Sequence, residues 1–336
     1  MNEWEKLKKL FATKKRISIV SHPSPDGDSI GSSLAMYWFL KEKGHDVKVI
    51  TPDKAPEYLS FLQGFENINC YDEQKKESQD FLKSSEVILF LDFNRLNRLR
   101  RMGEFLEKHP TAYWINIDHH QDPLDFCDFQ YCFPGSSSTA ELIYQFIFDL
   151  NEESQISFKM AQAIYTGILT DTGSFRFSST AASTHRTVAS LIELGVEPQK
   201  IHQNIYDNFS KERLQLFGFA LNQRLIFHEK YATAIIYLSE ADLEKFNHQK
   251  GDTEGLVNFP LSMGSINFAI LATQKDDKIK LSLRSKGSFP ANKFAETHFQ
   301  GGGHINAAGG ISMLSMEETL SKIAQLLPDY EKELQA

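Results

Sequence analysis

The chain has 336 residues, 41% hydrophobic and 24% charged, an ordinary composition for a folded protein with room for two domains, each with its own core. Its formal charge of −8 argues against a surface built to neutralise the phosphates of long nucleic acid, and we expect no long-DNA track. A short anionic substrate stays open, because bound divalent metals can supply local positive charge.

Residues 1–16 lack the apolar segment of a signal peptide, and Trp4, Leu7, Leu10 and Phe11 recur at helical spacing, so this stretch reads as an amphipathic surface helix rather than a membrane anchor. Ile17 to Val20 is short and β-branched and reads as a strand; Ile30 to Lys43 has helical periodicity and stops at Gly44. Val47 to Ile50 reads as the next strand. Val87 to Asp92 is a continuous apolar run ending in a carboxylate, the pattern of a strand buried on both faces, and Ala112 to Ile117 repeats it. Thr139 to Leu150 follows a serine-rich cap region as a helix, with Ser137, Ser138 and Thr139 read as caps, and Met160 to Leu169 is helical up to Asp171. This alternation predicts an α/β domain with a largely parallel sheet.

From about Ile201 to Arg224 the chain reads as a helix connecting two domains. Beyond it, Tyr231 to Leu238, Ile266 to Thr273 and Ile279 to Arg284 read as strands, with Asp276-Asp277 as a hairpin turn, and a last helix runs from about Met316 to Leu327. The second part is predicted to be a smaller α+β domain with a mixed sheet. Cys70, Cys127 and Cys132 form no disulfide framework and no stretch approaches the about 20 apolar residues that span a bilayer. A cytoplasmic protein is the expectation.

Open parallel sheets gather ligands at the carboxyl ends of their strands. Four segments place acidic or imidazole side chains there: His22, Asp26 and Asp28; Asp92; Asp118, His119 and His120; and Asp171. Any single Asp at a strand end is ordinarily a cap or turn residue, but four such segments on one edge make the donor set of a two-metal hydrolytic site, in which water attacks phosphorus. Oxygen and imidazole donors without thiolate suit Mn²⁺, with Mg²⁺ as the alternative. Gly301, Gly302 and Gly303 offer backbone N–H groups with no side chains in the way, which predicts an anion-binding nest just before a helix N-terminus. Arg95 and Arg98 follow Asp92 closely, and one guanidinium fork there suits a phosphate.

These motifs, taken together, resemble the DHH phosphoesterase superfamily: His22, Asp26, Asp28, Gly31 and Ser32; Leu91-Asp92; Asp118-His119-His120; Thr170-Asp171-Thr172-Gly173; and Gly301-Gly302-Gly303-His304 followed by Ala307-Ala308-Gly309. They run in the family's order from residue 17 to 310, and the two-domain length is most similar to the NrnA-type oligoribonuclease and phosphoadenosine-phosphate phosphatase branch. The resemblance implies a DHH domain over 1–203, a connecting helix over 204–226, a DHH-associated substrate domain over 227–336, and an active cleft between the two domains. It implies that His22, Asp26 and Asp92 hold one metal and that Asp28, Asp92, His119 and Asp171 hold the other, with Asp92 bridging and His120 contacting phosphate or assisting the leaving oxygen. Asp118 then either orients a ligating imidazole or simply ends its strand. Arg98, Arg284, the three glycines and His304 are implied substrate contacts.

The expected activity is hydrolysis of short oligoribonucleotides to nucleoside monophosphates and of the bisphosphorylated nucleotide pAp to AMP and phosphate. Exopolyphosphatase or pyrophosphatase activity, and cleavage of linear pApA, are the alternatives; a binding protein that had lost catalysis would show missing ligand positions, and all are filled. A homodimer is compatible with this reading.

Overall fold

The computed structural model describes residues 2–109, 112–152, 155–249 and 251–335. It divides into two compact units, Met1–Asn208 and Phe209–Ala336.

The first unit opens with α1 (Glu3–Phe11), β1 (Arg16–Ser21), α2 (Gly27–Glu42), β2 (Asp46–Thr51) and β3 (Ile68–Cys70). It continues through α3 (Lys75–Ser84), β4 (Val87–Leu91), α4 (Arg101–Glu107), β5 (Tyr113–Asp118) and β6 (Phe129–Cys132). Four helices close it: α5 (Thr139–Asp149), α6 (Phe158–Asp171), α7 (Ala182–Glu193) and α8 (Pro198–Tyr206). The six strands form one sheet in the order β3-β2-β1-β4-β5-β6, every pairing parallel. All five residues of β4 are buried, as an apolar strand at the centre of a sheet covered on both faces requires. The amphipathic α1 is docked on this unit: Leu7 and Phe11 are buried, and Trp4 meets the rings of Phe129, Tyr131 and Phe146 at 5.7, 5.5 and 5.6 Å. No helix among the described residues is long and apolar enough to cross a membrane.

The strand order reverses between β1 and β4, so the chain leaves the sheet in opposite directions there and opens a crevice at the strand carboxyl ends. Close helix packing delivers further side chains to the same edge. A Cβ at Gly31 of α2 would lie 2.5 Å from the Ala163 carbonyl of α6, and one at Gly167 would lie 2.5 Å from Ala140 Cβ and 2.9 Å from Asp28 Oδ1. Only glycine at these positions lets α2, α5 and α6 approach closely enough to set the C-terminal end of α6, with Asp171, beside the N-terminal turn of α2.

The second unit comprises α9 (Lys211–Gln223), β7 (Leu225–His228), β8 (Thr233–Leu238), α10 (Glu240–Lys245), β9 (Phe268–Lys275) and β10 (Lys278–Ser285). It ends with α11 (Ala291–His298), β11 (Gly302–His304), β12 (Ala307–Ser312), α12 (Met316–Leu326) and α13 (Glu331–Gln335). Its mixed sheet runs β11-β12-β10-β9-β8-β7, with β8 and β9 parallel and the other neighbours antiparallel. Lys275 pairs with Lys278 across Asp276-Asp277, and Asp276 takes the positive φ of 52° that a two-residue hairpin loop needs.

Two local expectations are corrected. The stretch over 204–226 is not one connecting helix: α8 ends at Tyr206, and α9 begins only at Lys211, capped by the Ser210 side chain, which accepts from Arg213 N. Leu216, Phe217 and Ala220 of α9 then belong to the core of the second unit. The glycine segment does not precede a helix either. Gly302 to His304 pair antiparallel with Ala307 to Gly309 as an edge strand, and the next helix starts at Met316. A Cβ at Gly301 would fall 2.1 Å from the Gly309 carbonyl oxygen, so the close passage of β12 accounts for glycine there.

Candidate metal centre

His22 follows β1, Asp92 follows β4, and Asp118, His119 and His120 end or follow β5, so the crevice at the strand reversal collects them. Asp26 and Asp28 lie at the start of α2, where Asp26 is the cap and accepts from the N–H groups of Asp28 and Ser29 at 3.1 and 3.0 Å. Asp92 sits in the left-handed region at φ 67°, which aspartate tolerates better than most residues. Buried Asn116 pins the chain on both sides of it, donating to the Phe90 and Phe93 carbonyls at 3.1 Å each.

Three groups of side chains can each present ligand atoms within 4.8 Å of one another: His22, Asp26 and Asp92; Asp28, His119 and Asp171; and Asp92, His119 and His120. All six residues expected as metal ligands are therefore brought together, with Asp92 and His119 shared between groups. His22 Nε2 stands 3.2 Å from Asp92 Oδ2, while His119 Nε2 lies 3.7 Å from Asp92 Oδ1 and 3.4 Å from Asp171 Oδ2. The opposite ring nitrogens are held by backbone: His22 Nδ1–H donates to the Pro23 carbonyl at 2.8 Å and His119 Nδ1–H to the Ser136 carbonyl at 3.3 Å. Fixing Nδ1 in this way turns Nε2 toward the carboxylates.

Asp118 serves His120 rather than the ligating His119: His120 Nδ1–H donates to Asp118 Oδ1 at 2.7 Å. Arg98 lies half-buried in the turn after Asp92 with no side-chain hydrogen bond or ion pair among the described residues, whereas neighbouring Arg100 stands 3.5 Å from Asp53. Arg284, His304 and the glycine segment belong to the second unit. Arg284 and His304 both pair directly with Ala307, so they lie in one row on one face of β10, β12 and β11. Arg284 is half-buried, its Nη1 donating to the Leu283 carbonyl at 3.0 Å, and is not the solvent-facing residue a strand end allows.

The electrostatics call for a cation. Five carboxylates and three imidazoles crowd this edge, and among the described residues no Lys or Arg forms an ion pair with any of the five. Burial, then the charges of Asp92, Asp171 and Asp26, hold Asp28 well above the usual carboxylate range. Burial likewise raises Asp171 to about 7, with Asp26 and Asp92 adding to it against the opposing pull of His119. Burial disfavours charge on His22, but its hydrogen bond to Asp92 and the fields of Asp26 and Asp92 prevail and raise it to about 9. Asp92 moves the other way: burial resists its charge, yet the His22 hydrogen bond and the three imidazoles hold it well below the usual range. Protons thus take the place that a divalent ion fits, and the oxygen and imidazole donors suit a hard or borderline metal.

A pH dependence follows. Asp171 moves from an ordinary 3.8 to about 7 and His22 from 6.5 to about 9, so both favour the folded, protonated state at low pH and lose that contribution as pH rises through 7 and 9. A metal must displace those protons, so the increase in Tm on adding Mn²⁺ to chelator-stripped protein should be larger at about pH 8 than at about pH 6. An increment that shrinks over that interval contradicts the assignment.

Residues 16–168 match the DHH family, N-terminal domain, and residues 229–332 match the DHHA1 domain. A solved exopolyphosphatase-related protein from Bacteroides fragilis is 37% identical, with a TM-score of 0.96 over 99% of this chain and 97% of its own. The chain belongs to the DHH phosphoesterase superfamily. Among its DHH relatives, the bifunctional oligoribonuclease and PAP phosphatase NrnA of Thermus thermophilus is 28% identical over 96% of this chain and 93% of its own length. The Bacillus subtilis protein of the same name is 26% identical over 91% of both.

Thr139 and Asn116 are the site residues that sequence reasoning missed. Thr139 was legible only as a helix start and Asn116 only as a member of an apolar run, although a lone amide inside such a run is a signal of a buried hydrogen-bonding duty.

Proposed function

We propose that this protein is a divalent-metal-dependent phosphoesterase, served by Mn²⁺, that hydrolyses short oligoribonucleotides to nucleoside monophosphates and pAp to AMP and phosphate. The observation carrying the proposal is the overlap of the ligand groups at Asp92 and His119, which suits two neighbouring ions. His22, Asp26 and Asp92 would hold one, and Asp28, Asp92, His119 and Asp171 the other. Two such ions, when bound, supply the charge that draws in a phosphate and activate water for its attack. The likeness to the two NrnA proteins over most of the chain supports the substrate class.

The chain's own groups divide the remaining work. Asp118 keeps the proton of His120 on Nδ1, so a proton delivered to the leaving oxygen resides on Nε2. Arg98 supplies a guanidinium beside Asp92 for a phosphate. In the second unit, Arg284 and His304 on one sheet face, with Gly301 to Gly303, supply contacts to the neighbouring phosphate and sugar. The first unit is thus the catalytic domain and the second the substrate domain.

The test is a turnover panel on chelator-stripped protein restored with Mn²⁺: two- to five-nucleotide RNAs, pAp, pApA, pyrophosphate and polyphosphate. Short RNA and pAp should exceed pyrophosphate and polyphosphate by at least about tenfold in kcat/KM, because the expected sugar contacts go unpaired with the latter. Best turnover on polyphosphate would instead support the reading that the name of the Bacteroides relative suggests.

A further inference from the structure

We propose that Thr139 is a positioning residue that sets the orientation of Asp92 and ties it to Asp28, an inference that rests on reading this cluster as a metal centre. Thr139 is fully buried at the first turn of α5, behind the Ser138 cap. The leading N–H groups of a helix have no partner within it. Here Thr139 N–H donates to Asp28 Oδ2 at 2.7 Å and Ala140 N–H to Asp28 Oδ1 at 2.8 Å. The Thr139 hydroxyl donates to Asp92 Oδ1 at 3.0 Å. One residue therefore touches two carboxylates that reach the site from α2 and from the end of β4.

The hydroxyl acts on the carboxylate that both ligand groupings share. Asp92 Oδ2 faces His22 at 3.2 Å, and Oδ1 lies 3.7 Å from both His119 and His120. A donor fixed on Oδ1 stops the carboxylate rotating, so each oxygen stays on its own side. The helix start that carries this donor is secured independently. Glu141 Oε2 accepts from Ser137 N at 3.2 Å, from Thr184 Oγ1 at 3.0 Å and from the Ser137 hydroxyl, and the Ser138 side chain accepts from Glu141 N at 3.0 Å. Loss of the Thr139 hydroxyl alone should leave that turn in place.

Two substitutions separate hydroxyl from shape. Thr139→Val keeps the branched outline and the backbone N–H but removes the donor; Thr139→Ser keeps the donor and removes the methyl group. Mn²⁺ binding to full-length, chelator-stripped protein is measured by titration calorimetry without substrate, with circular dichroism and Tm confirming the fold. Thr139→Val should weaken Mn²⁺ binding by about 10- to 100-fold while Thr139→Ser stays within about threefold of the parent. Parent-like binding by Thr139→Val, or equal losses in both variants, overturns the proposal. Should Thr139→Val fail to fold, Thr139→Ala is read against Thr139→Ser by the same criterion. A parent protein that takes up no Mn²⁺ instead overturns the metal-centre reading beneath it.

Discussion

Asp92→Ala should abolish turnover and release both metal ions, with a fall in kcat/KM of at least about 10³-fold, or about 4 kcal/mol of transition-state stabilisation. The reason is geometric. Asp92 offers one oxygen to the His22 side and the other to the His119 side, so removing its carboxylate depletes both groups at once. It is also the carboxylate that the imidazoles hold most firmly in its charged form. Alanine there keeps a short side chain at a positive-φ position, so some loss of stability is expected too, and far-UV circular dichroism must accompany the assay. Elemental analysis of folded Asp92→Ala should find well under two tightly bound ions per chain. Two retained ions would falsify the bridging assignment.

Much of the first unit was legible because its central strands are continuous apolar runs. Val87 to Leu91 is buried throughout, and a run of that kind between turn signals has few other uses. The edge strands β3 and β6 were not legible. Ile68-Asn69-Cys70 is too short to show a period, and Phe129 to Cys132 only alternates, so both owe their pairing to the neighbouring strand. The break between α8 and α9 was hidden because residues 207–210 are polar on both sides of a helical pattern, and Ser210 looks like any exposed serine until its cap is seen.

The candidate site was legible to the extent that topology does the gathering. Parallel strands bring their carboxyl ends to one edge, so His22, Asp92 and His119 could be grouped from strand ends alone. Asp171 is different: it ends a helix, and its placement depends on the close packing permitted by Gly31 and Gly167. The glycines at 301–303 misled because three glycines beside a histidine suit an anion nest as well as an edge strand crowded by its neighbour. Thr139 carries no local signal of its bond to Asp92, which lies 47 residues earlier in the chain.

The central claim is that short phosphorylated substrates are held by a few phosphates near one metal cluster, and a length series tests it most directly. The chain carries a net charge of −8, and its proposed phosphate contacts are confined to Arg98, Arg284, His304 and the glycine segment. Affinity should therefore stop growing after a few nucleotides. With saturating Mn²⁺ and fixed salt, kcat/KM should be highest for RNAs of about two to five nucleotides and fall at least about tenfold by about 30, a difference of about 1.4 kcal/mol. If two or three phosphates are engaged, the slope of log kcat/KM against log salt should be about −2 or shallower. Equal or better cleavage of the longest RNAs, with a slope steeper than about −5, would mean six or more phosphates are gripped along an extended track and would contradict the account.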